Sequence, residues 1–200
     1  DLKGRFLVIN SMINKTAFAA LKEDMNSYDA KREQVIKGSR DVLKQSKRAI
    51  FALHRGEVES AQALLKESAT QLCVLFGQAQ GKLRYGGALG EACEEYTEAE
   101  LYLAFKTKKE FPTIKDLGVL SEEYVAGLCD LAGELQRTGV HAALEKNYEL
   151  VERCRQGVAS LYGQLMELDF RNGSLRRKFD SVKYSVDKLE DLSLQVQLRQ

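Results

Sequence analysis

One proline stands in 200 residues, so almost no stretch contains the residue that costs about 3 kcal/mol inside a helix. Tryptophan is absent, and Ala, Leu, Glu, Lys, Gln and Arg fill most of the chain. That composition points to an all-α fold, and the length suits one domain with a substantial core. The four cysteines, Cys73, Cys93, Cys129 and Cys154, are widely spaced and form no C-x-x-C pair. They argue against a zinc ribbon or a disulfide framework and read as buried thiols in a reducing compartment. No apolar run approaches the ~20 residues that span a bilayer, and the N-terminus lacks the h-region of a signal peptide. The expectation is a soluble, cytoplasmic protein without a membrane partner. A net charge of +1 supplies no global field for nucleic acid, so any such surface must come from local segregation of charge.

The opening stretch, residues 1–11, precedes Met12 and is set apart as an N-terminal extension, with residues 12–200 as the helical domain. A first long helix is expected from Lys15 to His54, because Ile36, Leu43 and Ile50 repeat every seven residues with Ser39, Ser46 and Leu53 between them. Gly56 stops it, and a second helix is expected over Val58 to Gln78. The glycine-rich stretch 77–90 reads as a turn, since a phosphate loop would need a G-K-[ST] element and a preceding strand. A third helix is expected from Ala88 to Lys109, closed by Phe111-Pro112, and a fourth from Ser121. His141 is expected in a linker, a fifth helix over Ala142 to Leu168, and a last helix with Leu175, Phe179, Val182, Val186, Leu189 and Val196 on one stripe.

Two acidic pairs stand out. Glu95 with Glu98, and Asp130 with Glu134, are spaced three or four apart, so each pair projects from one helix face. Such pairs are usually solvated. Here Glu98 shares its face with Tyr102 and Phe105, and Asp130 shares its own with Ala126 and Gly133. Less exposed carboxylates need a partner or a metal. The expected compensation for mid-helix Gly133 is close approach of the helix bearing Glu95, which would gather four carboxylates into a cage for Mg2+ or Mn2+. Phosphodiester hydrolysis suits that chemistry. Neither His54 nor His141 lies near the cluster in sequence, so histidine acid-base catalysis has no visible support. Lys37, Arg40, Lys44 and Lys47 form a basic line on the first helix, and Arg84 with Tyr85 in the glycine-rich turn could pair charge with base stacking. An ordinary solvated helix face is the competing reading for the line.

Four segments carry a family resemblance. SRDVLKQSKRAIFALHR (39–55), EEYTEAELYLAFKTK (94–108) and EEYVAGLCDLAGELQR (122–137) resemble segments of translin-associated factor X, and SLRRKFDSVKYSVDKLEDL (174–192) is similar to translin. The resemblance to this translin and Trax family implies a bundle of seven helices assembling into a hollow, octamer-like shell that encloses RNA. It further implies a Mg2+-dependent endoribonuclease whose metal-binding and catalytic carboxylates fall on Glu95, Glu98 and Asp130, with Glu134 at a fourth position. The basic, histidine-containing segment of translin survives here only as Arg84, and the long insertion of the animal X-type chain is missing between residues 109 and 121. The combination resembles a single-gene, archaeal-type member that builds a homo-oligomer rather than a hetero-oligomer with a translin subunit. Two alternatives stand beside the nuclease reading: a translin-like protein that binds RNA or single-stranded DNA without cutting it, and a helical scaffold for protein partners.

Overall fold

The computed structural model describes residues 14–198; the extension expected over residues 1–11 lies outside them. Among the described residues, seven α-helices follow in order: α1 (Lys15–His54), α2 (Val58–Gln78), α3 (Gly87–Lys106), the single-turn α4 (Ile114–Leu117), α5 (Ser121–Leu144), α6 (Tyr148–Leu165) and α7 (Ser174–Gln197). A 3-10 turn, Gly81–Arg84, joins α2 to α3. Among the described residues there is no strand, and no helix is long and apolar enough to cross a membrane. The all-α expectation therefore holds.

α1 packs on α2 and α3, α3 packs on α5, and α5 packs on α6 and α7, which also meet each other. α1 has the expected seven-residue period, but its buried stripe is offset. Ser39, Ser46, Ile50 and Leu53 are buried as expected and are joined by Val35, Val42 and Ala49, whereas Ile36 and Leu43 are only half-buried at the edge. The offset lets α1 serve two neighbours: an added Cβ on Gly38 would lie 2.7 Å from Leu75 of α2.

α3 and α6 each end three residues earlier than expected, at Lys106 and Leu165, and the junction of α5 with α6 differs more. α5 continues through His141 to Leu144, so His141 is helical, and α6 begins only at Tyr148. Between them Lys146 takes a left-handed φ of 58°, and the Asn147 side chain accepts a hydrogen bond from the Leu150 amide at 3.1 Å. The helix break is made by a cap, with neither glycine nor proline to mark it. α7 buries Phe179, Val182 and Leu189 of its expected stripe, with Leu175, Val186 and Val196 only half-buried, while Ser185 and Ser193 are buried beside them. All four cysteines are free; Cys93, Cys129 and Cys154 are buried, and Cys73, expected buried, is exposed.

The close approach of α3 and α5 occurs at Gly127 rather than Gly133. A Cβ on Gly127 would meet Thr97 at 2.8 Å and the Glu94 carbonyl oxygen at 3.0 Å, whereas one on Gly133 would meet nothing within 4 Å. Gly127→Ala should therefore destabilise: overpacking costs typically about 1–3 kcal/mol, offset in part by the helix propensity gained. Gly133→Ala, on an exposed position, should stabilise by up to about 1 kcal/mol. Thermal melts of the two variants check this, at about 2–4 °C per kcal/mol for a chain of this size. A higher Tm for Gly127→Ala would contradict the packing account.

Candidate active site

α3 packs between α1 and α5, and the face it turns to both is reached by side chains of α7 as well. A cavity of about 460 Å3 opens there. Its lining includes Lys47 from α1, Glu95 and Glu98 from α3, Asp130, Gly133 and Glu134 from α5, and Tyr184 from α7. The structure thus brings together all four carboxylates singled out by spacing.

Three of the four have a cationic or imidazole partner. Lys47 Nζ lies 3.3 Å from Glu95 Oε2. Lys178 of α7 forms an ion pair with Asp130 and reaches Glu94 Oε2 at 3.1 Å. Glu134 pairs with His54 Nε2, and Arg137 stands 4.0 Å away. His54 is itself held: its Nδ1 is 3.1 Å from the Tyr102 hydroxyl, which lies 2.8 Å from Thr138 Oγ1, and Thr138 donates to the Glu134 carbonyl at 2.8 Å. Tyr102 is fully buried, so this chain of contacts fixes the imidazole from behind.

Glu98 is the exception. It is 8% exposed and makes no ion pair among the described residues. Burial pushes its carboxyl up to about 9, with the fields of Glu95, Asp130 and Glu134 adding to the shift and Lys178 opposing it. Glu95 is also raised, mainly by burial, with Lys47 working against that effect. Lys178 is held above the ordinary ammonium range. Burial opposes its charge, but the hydrogen bond to Asp130 and the nearby carboxylates outweigh it.

A hard divalent cation fits this donor set chemically, because a buried carboxylate without a counter-ion is costly and oxygen-only ligands suit Mg2+ or Mn2+. Among the described residues, no three His, Cys, Asp or Glu side chains are arranged to hold one ion. Glu95, Asp130 and Glu134 are instead engaged with Lys47, Lys178 and His54 respectively.

The basic residues divide. Lys37, Arg40, Lys44 and Lys47 are all exposed along α1, and the line ends at the cavity, where Lys47 meets Glu95. Arg84 does not join them. It donates two hydrogen bonds to Glu123, at 2.7 and 3.0 Å, and stacks 4.6 Å above the Phe76 ring. Glu123 also accepts from the Leu120 amide at 2.8 Å, so the clamp fixes the glycine-rich turn to the start of α5. His54, Lys178, Glu94 and Tyr184 escaped the sequence reading of the acidic cage. His54 and Lys178 lie 80 and 48 residues from their partners, and no local spacing announces such contacts.

A sequence model described as the Translin family matches residues 30–200. An uncharacterized protein of Methanocaldococcus jannaschii is 29% identical over 164 residues, covering 80% of this chain and 73% of that protein. The Translin-associated protein X homolog of Schizosaccharomyces pombe is 22% identical over 203 residues, covering 92% and 88%. Among solved structures, AfC3PO superposes with a TM-score of 0.84 at 23% identity, covering 92% of this chain and 98% of that one. Its duplex RNA complex gives 0.81 at 21% identity, with the same coverage. These two similarities establish the fold.

Glu98 holds a proton in the folded state that the unfolded chain has lost once the pH exceeds about 4.3. The stability tied to that proton is present below this value and is lost as the pH rises toward 9. Glu98→Gln, neutral throughout, should raise the Tm of the metal-free protein. The gain should be small near pH 5 and grow with pH, at a slope approaching about 1.4 kcal/mol per unit. Melts at several pH values in EDTA test it; a pH-independent difference would contradict the account.

Proposed function

Because the chain belongs to the translin family, we propose that it is a metal-dependent endoribonuclease that cuts RNA within an oligomer of identical chains. The supporting observation is the cavity where Glu95, Glu98, Asp130 and Glu134 meet beside the end of a basic line. RNA is the proposed substrate class because AfC3PO forms a duplex RNA complex in the same fold. Single-stranded RNA fits the site as well, since Tyr184 stands 58% exposed on the cavity wall and can stack an unpaired base.

Lys37, Arg40 and Lys44 bind successive phosphates of the backbone along α1, over ~10 Å of helix, and direct the strand toward the carboxylates. Glu95, Glu98, Asp130 and Glu134 would hold Mg2+ or Mn2+, which when bound supplies Lewis acidity toward the phosphodiester. Lys47 and Lys178 keep the carboxylates compatible before substrate arrives. Their ammonium groups, placed at the cavity beside Glu95 and Asp130, would also be within reach of a phosphate bound there. His54, fixed by Tyr102, sets the orientation of Glu134. Arg84 is a structural clamp in this reading and makes no contact with RNA.

Cleavage of end-labelled single-stranded RNA with Mg2+, repeated in EDTA and with Glu98→Ala, tests the nuclease. Activity should vanish in the last two, and equal activity in all three would overturn the reading. His54→Ala should lower Mn2+ affinity by about 10–100-fold. Tyr102→Phe should lower it less, as measured by electron paramagnetic resonance of free Mn2+.

One observation favours a second reading, binding of RNA or single-stranded DNA without cleavage: Lys47, Lys178 and His54 already partner three of the four carboxylates. That reading predicts salt-dependent binding weakened by neutralising Arg40 and Lys44, and intact substrate after long incubation with Mn2+.

A further inference from the structure

The N-terminal half of α1 carries an apolar seam that the rest of the described chain leaves exposed, with Asp24, Tyr28 and Lys31 standing beside Gly77, Gln80 and Leu83 around a pocket at its inner end. The span from Lys15 to Gln34 is helical throughout, as expected, yet every residue in it is exposed. Within it Phe18, Leu21, Met25 and Tyr28 are 61, 52, 58 and 41% exposed. Their spacing of three, four and three is the a/d pattern of a coiled coil. The same register continues without a break into Val35, Ser39, Val42, Ser46, Ala49 and Leu53, the stripe already buried against α2 and α3. The only charged interruption is Arg32. One helix therefore carries one continuous seam, covered in its second half and open in its first. Four large apolar side chains left in water on one helix face are unfavourable, so a partner that covers them would stabilise this half of the helix.

Charge at the flanking positions indicates which partner. In this register Lys22 and Asp29 occupy e positions, and Asp24 and Lys31 occupy g positions; all four are exposed. If a second copy of α1 lies antiparallel, with Met25 against Tyr28 of the second copy, e faces e and g faces g. Lys22 then meets Asp29 of the second copy and Asp24 meets its Lys31, and the two-fold axis repeats both pairs. A parallel arrangement would place Asp24 against Asp29 of the second copy, two like charges.

We propose that the N-terminal half of α1, through Phe18, Leu21, Met25 and Tyr28, docks antiparallel on the same segment of a second copy of this chain. The contact supplies one subunit interface of the assembly, and it is independent of whether the chain cuts RNA.

Sedimentation at micromolar protein, without RNA, tests this. The wild-type chain should assemble, and Phe18→Glu with Met25→Glu should reduce the assembled mass by at least half. The bundle melt should be retained, because none of these side chains enters the core. Asp24→Lys should weaken association several-fold by opposing Lys31 of the second copy. Lys22→Asp should also weaken it, and adding Asp29→Lys to that variant should restore it. Unchanged mass in the double glutamate variant would overturn the proposal and indicate that the seam is covered from within the chain or by another protein. Tighter association of Asp24→Lys would also overturn it, since relief of an Asp24–Asp29 contact is the signature of parallel pairing. A wild-type monomer would defeat the homo-oligomer reading as a whole, whereas a wild-type oligomer indifferent to these changes would defeat this interface alone.

Discussion

Close contact between α3 and α5 at Gly127 is the constraint on which the site depends. With no Cβ there, Thr97 and the Glu94 carbonyl of α3 come within contact distance of the α5 backbone. Glu95 and Glu98 lie within a turn of Thr97, and Asp130 lies three residues beyond Gly127. The approach that satisfies packing therefore concentrates negative charge. Helix geometry alone does not explain why such a cluster is tolerated, because four carboxylates at close range repel one another strongly where water is scarce.

The tolerance comes from the outer helices. α1 contributes Lys47 and His54, and α7 contributes Lys178, so both helices packed around the α3–α5 pair bring groups that partner its acids. Each of these side chains has an apolar stem or ring that can be half-buried while its polar end meets a carboxylate. The compensation stops short at Glu98, whose burial and neighbours favour the protonated form. A cavity with one more acid than it has partners is suited to accept a positively charged ligand, and this imbalance, more than the number of acids, distinguishes it from a structural ion-pair network.

Much of this was legible in the sequence, for identifiable reasons. The acidic pairs could be placed on common helix faces because a spacing of three or four is a local geometric fact. The seven-residue period of α1 was equally local, although the choice between Ile36 and Val35 as its centre depended on two neighbours packing at once. Gly127 and Gly133 look alike in the sequence, and both sit inside α5. Only the path of α3 decides that the first is a contact and the second faces open space. His54 and Lys178 could not be assigned from spacing, because their partners are distant in the chain. Arg84 carried a basic signature whatever its surroundings, and its bidentate pairing with Glu123, 39 residues away, is a tertiary fact that no local spacing announces.

α1 shows how one helix can carry several tasks without conflict. Its 40 residues divide by face and by length. The seam through Val35, Val42 and Ala49 belongs to the core, and the exposed line from Lys37 to Lys47 belongs to the solvent side. His54 closes the helix against Glu134, and the seam before Val35 is exposed. Because a helix transmits position rigidly over its length, a subunit held at Met25 also fixes where the basic line and Lys47 stand relative to the neighbouring copy. In the proposed assembly, subunit contact and substrate path would then be properties of the same element. If the proposed interface and RNA path both hold, substitutions at Phe18 or Met25, many turns along the helix from His54 and without contact to the acids, would alter how RNA is presented to the cavity without changing the cavity itself.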